Sequence, residues 1–117
     1  MELTKEQIME EQRYVAKTIV DQIKAIDVSA LMAYGAKDFA MLSQNKDRRG
    51  GLEFKVNGLR HKGWVRISLT WADLYKVETV NWRRNLKDSI DEVYFDQLVE
   101  VLDAFVEGRG YDNQTTH

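Results

Sequence analysis

Leu52-Glu53-Phe54-Lys55-Val56-Asn57-Gly58 and, after a short polar link, Trp64-Val65-Arg66-Ile67-Ser68-Leu69-Thr70 decide the reading of this chain. In both runs apolar and polar residues alternate, the period-2 pattern of a strand buried on one face. Asn57-Gly58 between them is a strong turn signal. Val65, Ile67 and Leu69 share one side of the second strand, so Trp64 falls on the other. Trp71-Ala72-Asp73 connects to a third β-rich stretch, Leu74 to Trp82, where Tyr75, Val77 and Thr79 oppose Lys76, Glu78 and Val80 and Trp82 follows Val80 inward. Three strands with short links predict an antiparallel meander.

Helices flank this meander. Thr4-Lys5-Glu6-Gln7 has the form of a capping box. Ile8, Val15, Ile19, Ile23 and Ile26 then keep one stripe on one face, which predicts a helix over about residues 5–26. Ser29-Ala30-Leu31-Met32-Ala33-Tyr34 reads as a short helical piece, with Gly35 as its stop. Phe39-Ala40-Met41-Leu42 suits a short strand or a continued helix, and periodicity alone does not separate the two in so short a run. At the other end, Ser89-Ile90-Asp91-Glu92 reads as a second capping box. It opens a helix with Ile90, Val93, Tyr94, Leu98, Val101, Leu102, Phe105 and Val106 as its stripe and Gly108 as its close. The expected fold is α+β: a three- to four-stranded antiparallel sheet packed by an N-terminal and a C-terminal helix, in the order α-(α)-β-β-β-α. The 117 residues suit one domain, expected over residues 1–109. Residues 110–117 form a polar, flexible tail.

Charge is distributed unevenly. Residues 1–45 hold five basic and seven acidic side chains, net -2; residues 46–87 hold eleven and four, net +7; residues 88–117 hold one and eight, net -7. A basic middle beside an acidic end steers partners and sets association rates without specifying chemistry. The apolar runs are far shorter than the roughly 20 residues that span a bilayer, so no membrane partner is expected. The first residues lack the apolar stretch of a signal peptide. The absence of cysteine removes disulfides and thiolate chemistry and suits a cytoplasmic location.

The inventory for catalysis is thin. The histidines are His61 and His117, with no i, i+4 pair for a helical zinc site. Arg48-Arg49-Gly50-Gly51 lacks the spacing of a phosphate-binding loop. No catalytic residue, metal ligand or cofactor is therefore assigned, and the chain is read as a non-enzyme. Asp96, Glu100 and Asp103, with Glu107, share one face of the predicted last helix. Such a row is a solvated surface or, read functionally, an acidic array that imitates a phosphate backbone. The basic segment gives the candidate partner-binding set: Arg48 and Arg49 in one loop, Arg60 and Lys62 in the next turn, Arg83 and Arg84 beyond the third strand, and Trp64 and Trp71 as aromatic anchors. Basic side chains interleaved with aromatics also suit a single-stranded nucleic acid, although the whole chain is acidic, with a sequence pI near 5.7.

Several segments carry a family likeness: Ile19-Val20-Asp21-Gln22-Ile23, Gly35-Ala36-Lys37-Asp38-Phe39, Gly51-Leu52-Glu53-Phe54-Lys55, Val65-Arg66-Ile67-Ser68-Leu69-Thr70 with Asp73-Leu74-Tyr75-Lys76-Val77-Glu78, and Val93-Tyr94-Phe95-Asp96-Gln97-Leu98. In this order they resemble a group of short proteins of unassigned function encoded by bacterial phages, prophages and plasmids. The likeness covers about residues 18–106. It implies a setting, a mobile-element accessory protein in the bacterial cytoplasm, and carries over no site residue. The expected function is non-enzymatic binding that modulates or inhibits a host or defence macromolecule. Two alternatives stand beside it: a nucleic-acid-binding domain using residues 46–87, and a structural homodimer in which the positive sheet edge of one copy meets the acidic helix of another.

Overall fold

The computed structural model describes residues 3–109. The tail expected over 110–117 lies outside them. Helix α1 spans Lys5–Ile26 and a short α2 spans Ala30–Ala33. Five strands follow: β1 Lys37–Leu42, β2 Gly50–Asn57, β3 Lys62–Leu69, β4 Tyr75–Val80 and β5 Leu86–Val93. After β5 the described residues continue with a 3-10 turn at Phe95–Gln97, α3 at Leu98–Leu102 and a π-helical turn at Asp103–Glu107. The strands form one antiparallel sheet in sequence order, β1-β2-β3-β4-β5.

The start of α1 follows its sequence signal. The Thr4 hydroxyl accepts from the Gln7 amide, and the Gln7 side chain accepts from the Thr4 amide. Val15, Ala16, Ile19 and Ile23 are its buried stripe. They lie over the inner sheet face with Leu52, Phe54, Val56, Val65, Ile67, Tyr75 and Val77, and with Leu98, Val101, Leu102 and Val106 from the closing helical segment. Fully burying each large apolar side chain contributes about 1.5–3 kcal/mol.

The meander has five strands, more than the three or four expected. Phe39 to Leu42 belongs to β1. The larger difference is residues 89–93, expected to open the last helix and found in β5, which spans Leu86–Val93. The sequence signal misleads there because Ile90 and Val93 are three apart, a helical spacing. A bulge produces the same result in a strand: Ile90 pairs with Val77 and Val93 with Tyr75, so Asp91 and Glu92 together face Lys76. Glu92 takes φ +57° there, and both apolar side chains reach the core side. Asp38, at φ +56°, marks a matching bulge in β1, between the pairs Lys37–Lys55 and Ala40–Glu53.

The end of the closing helix is joined to the β2–β3 loop. The amides of Arg60 and His61 both donate to the Val106 carbonyl, and the Leu59 amide donates to Glu107. This approach needs glycine at position 58, where a Cβ would stand 2.4 Å from the Val106 carbonyl oxygen. Asn57-Gly58 thus opens a four-residue loop, with Asn57 paired to Lys62. The Gly58 amide donates to the His61 carbonyl across it.

Candidate functional site

The helices cover one sheet face. The other presents a cross-strand row of Ala40, Glu53, Arg66, Glu78 and Ser89 and a second row of Lys37, Lys55, Trp64, Val80 and Leu86. Trp64 is on this face, as the alternation of β3 predicts. Neither Val80 nor Trp82 points to the helix-covered side, where the sequence reading places them. Trp82 lies past the end of β4, is 53% exposed, and meets Trp64 edge to face at 5.9 Å between ring centroids. Such pairs contribute about 0.5–1.5 kcal/mol beyond burial. Val80, opposite Trp64, is buried although it faces away from the helices. Val80, Trp64 and Trp82 form an apolar spot on the open face.

The β4–β5 turn places the remaining groups. The Asn81 side chain accepts from the amides of Arg83 and Asn85, and the Arg84 amide donates to the Asn81 carbonyl. Arg84 takes φ +68° at the end of this turn. Its side chain returns over the sheet, with its guanidinium carbon 4.1 Å from the Trp64 ring centre and a nitrogen 3.2 Å from Glu53. Lys55 also stands over Trp64, at 5.1 Å. Glu53 accepts from Arg66 through both Nε and a terminal nitrogen. Arg48 completes the group: it donates to the Ser43 carbonyl, and burial, then Arg66, lowers its pKa against the opposing pull of Glu78 and Glu53.

The candidate residues divide by location. Trp64, Arg84 and Arg48 belong to this face, and Arg83 is exposed on the adjacent turn. Arg49 and Trp71 fasten the loop after β1: Arg49 pairs with Glu11 at 3.2 Å and with Asp73, and the Trp71 indole donates to the Asn45 carbonyl. The hydrogen bond that Arg49 donates to Glu11 raises the Arg49 pKa against burial. Arg60 and Lys62 turn back on the chain. Arg60 bonds Asp88 and the Phe105 carbonyl, and Lys62 bonds the Gly58 carbonyl. Burial raises the Asp88 pKa, but the hydrogen bond and charge of Arg60 outweigh it and hold this carboxyl below its ordinary value.

The acidic residues do not form one continuous array. Asp96 and Glu100 are exposed. Asp103 accepts from the Tyr34 hydroxyl, and Glu107 accepts from Leu59. Lys55, Trp82 and Glu53, which sequence reasoning left outside the candidate set, belong to the open face. The outward parity of Glu53 and Lys55 on β2 was the available signal for two of them.

Among the described residues, no group of three or more His, Cys, Asp or Glu is placed to hold a metal ion. A shallow groove along the first turns of α1 is lined by residues between Thr4 and Arg13, with no second element contributing. Also among the described residues, no helix is long and apolar enough to cross a membrane. No family model, curated protein or solved structure matches the chain.

Proposed function

We propose that this chain is a non-enzymatic binding protein of a mobile genetic element, acting in the bacterial cytoplasm by docking on a host or defence protein and modulating or inhibiting it. The observation that carries this reading is the Trp64–Trp82–Arg84 assembly on a sheet face that no helix among the described residues covers. Trp and Arg over an apolar spot, ringed by charges of both signs, have the composition of a protein-binding hot spot. The likeness of the sequence segments to short phage, prophage and plasmid proteins supports the setting.

A single-stranded nucleic acid is the second reading, favoured by exposed Trp82 beside Arg83 and Arg84. Two observations weigh against it. Lys55 and Arg84 already stand over the Trp64 ring, where a base would stack. Glu53 and Glu78 sit on the same face and repel phosphates.

The test is a pull-down from bacterial lysate with the tagged full chain, at low and moderate salt, with and without nuclease. It is repeated with Trp82→Ala combined with Arg84→Asn. Asparagine tolerates the left-handed backbone at position 84, so the turn is retained. A protein held by wild type through nuclease and moderate salt, and lost by the double variant, is the expected result. Recovery of nuclease-sensitive material alone selects the nucleic-acid reading. A protein bound equally by both forms rejects this face as the docking surface.

A further inference from the structure

We propose that β1 is a pairing edge for a second copy of this chain, the two strands running antiparallel about a two-fold axis at Ala40. This inference concerns the β1 edge of the sheet and does not depend on the proposed docking site. The two edge strands of the sheet differ. β5 carries Lys87, Asp88, Asp91 and Glu92, and its register with β4 shifts twice. Charges and bulges of this kind block edge-to-edge pairing. β1 has one bulge, at Asp38 and Phe39, and from Phe39 the run Phe39-Ala40-Met41 is uncharged and exposed. Phe39 is 47% exposed and Met41 41% exposed.

Parity then selects the partner. Met41 pairs with Leu52, a core residue, and the Phe39 ring lies 5.2 Å from that of Phe54, also in the core. Both side chains therefore lie on the helix-covered side, at the margin of the core. Residues directly opposite in an antiparallel pair share a face. With Ala40 opposite Ala40, Phe39 of each copy stands opposite Met41 of the other, and both margins are covered at once. Lys37 and Asp38 do not meet their own kind in this register, and Asp38 is already paired with Lys55 at 2.9 Å. A two-fold contact is self-complementary, and this strand satisfies that requirement in side-chain chemistry and in charge.

The absence of cysteine from the chain makes the test clean. At the axis, opposed residues stand about 4.5–5.5 Å apart between Cα atoms, within disulfide range. Under mild oxidant, Ala40→Cys should give a covalent dimer, while Glu100→Cys, at the exposed position of the otherwise buried α3, stays unlinked at the same concentration. In sedimentation of the wild type, mass should rise from 13.7 kDa toward twice that value with concentration, and Met41→Lys should hold it at the lower value. Wild type that stays monomeric, with Ala40→Cys unlinked, overturns the proposal. So does a dimer indifferent to Met41→Lys, which places the contact elsewhere. Should Met41→Lys fail to fold, as judged by circular dichroism, the cysteine pair decides alone.

Discussion

The Tyr34 hydroxyl donates a 2.5 Å hydrogen bond to Oδ1 of Asp103, 69 residues further along the chain. It ties the corner after α2 to the closing helix. Tyr34 is fully buried. Burial, and then the Asp103 carboxylate, raises its pKa, so the phenol stays a donor at neutral pH. Tyr34→Phe keeps the ring and removes the bond. The expected loss is about 1–2 kcal/mol, read from the denaturation midpoint. A double-mutant cycle with Asp103→Ala, which removes the acceptor, should return most of that loss as coupling. A cycle that closes to zero would show that the bond contributes nothing net.

Gly58 lies against the Val106 backbone, and a methyl group there has no room. Gly58→Ala should destabilise by about 1–3 kcal/mol, the usual cost of overpacking. Hydrogen exchange should localise the damage. The amides of Leu59, Arg60 and His61, which bond the end of the last helix, should lose protection first. Uniform loss across the sheet would contradict this account.

His61 is buried, with Nε2 3.0 Å from the Trp64 carbonyl. Burial lowers its pKa, opposed by that hydrogen bond and aided by Lys87. The folded pKa therefore lies below the unfolded value of about 6.5. Above that pH both states are neutral and the stability is fully present. As pH falls below it, the unfolded chain takes up a proton that the folded chain refuses, and stability declines toward the folded pKa. His61→Gln should flatten the pH dependence of the denaturation midpoint in this window. The Asp88 contribution has the same sign but begins lower, near the ordinary Asp value of about 3.9, so the two separate by pH. An identical slope in wild type and variant would refute the assignment.

Glu53 anchors two arginines and has a side chain only 12% exposed. Glu53→Gln should cost about 1–2 kcal/mol, as expected for hydrogen bonds to a charged group. It should also free Arg84 from its position over Trp64, altering the near-ultraviolet circular dichroism of the paired indoles. A variant with wild-type stability and spectrum would show that Arg84 is held by the turn alone.

Much of the fold is legible in the sequence where one element answers to one period. α1 begins and ends where its capping box and apolar stripe place it, and β2 and β3 follow their alternation. The reading of β5 fails where a bulge makes a strand imitate a helix at Ile90 and Val93. The candidate face is less legible, because proximity in sequence does not report which carboxylate each cation meets. Arg48 and Arg49 are neighbours, yet one donates to the Ser43 carbonyl and the other is fastened to Glu11 and Asp73. Trp82 is misread for a different reason: apolar, buried Val80 marks its side of β4 as inward, whereas Val80 pairs with Trp64 on the open face and Trp82 joins them there.

The bonds from Arg60 and His61 to Val106 also bear on how the protein is made. The loop between β2 and β3 is synthesised well before its partner; Arg60 precedes Phe105, whose carbonyl it also bonds, by 45 residues. While the chain is still being extended, that hairpin can pair its strands but cannot seat its turn. Final closure of the core waits for translation to pass position 106. Until then the apolar side of the sheet depends on α1 and the α2 corner for shelter, and a ribosome stalled before the last helix would present a half-covered sheet to the chaperones around it.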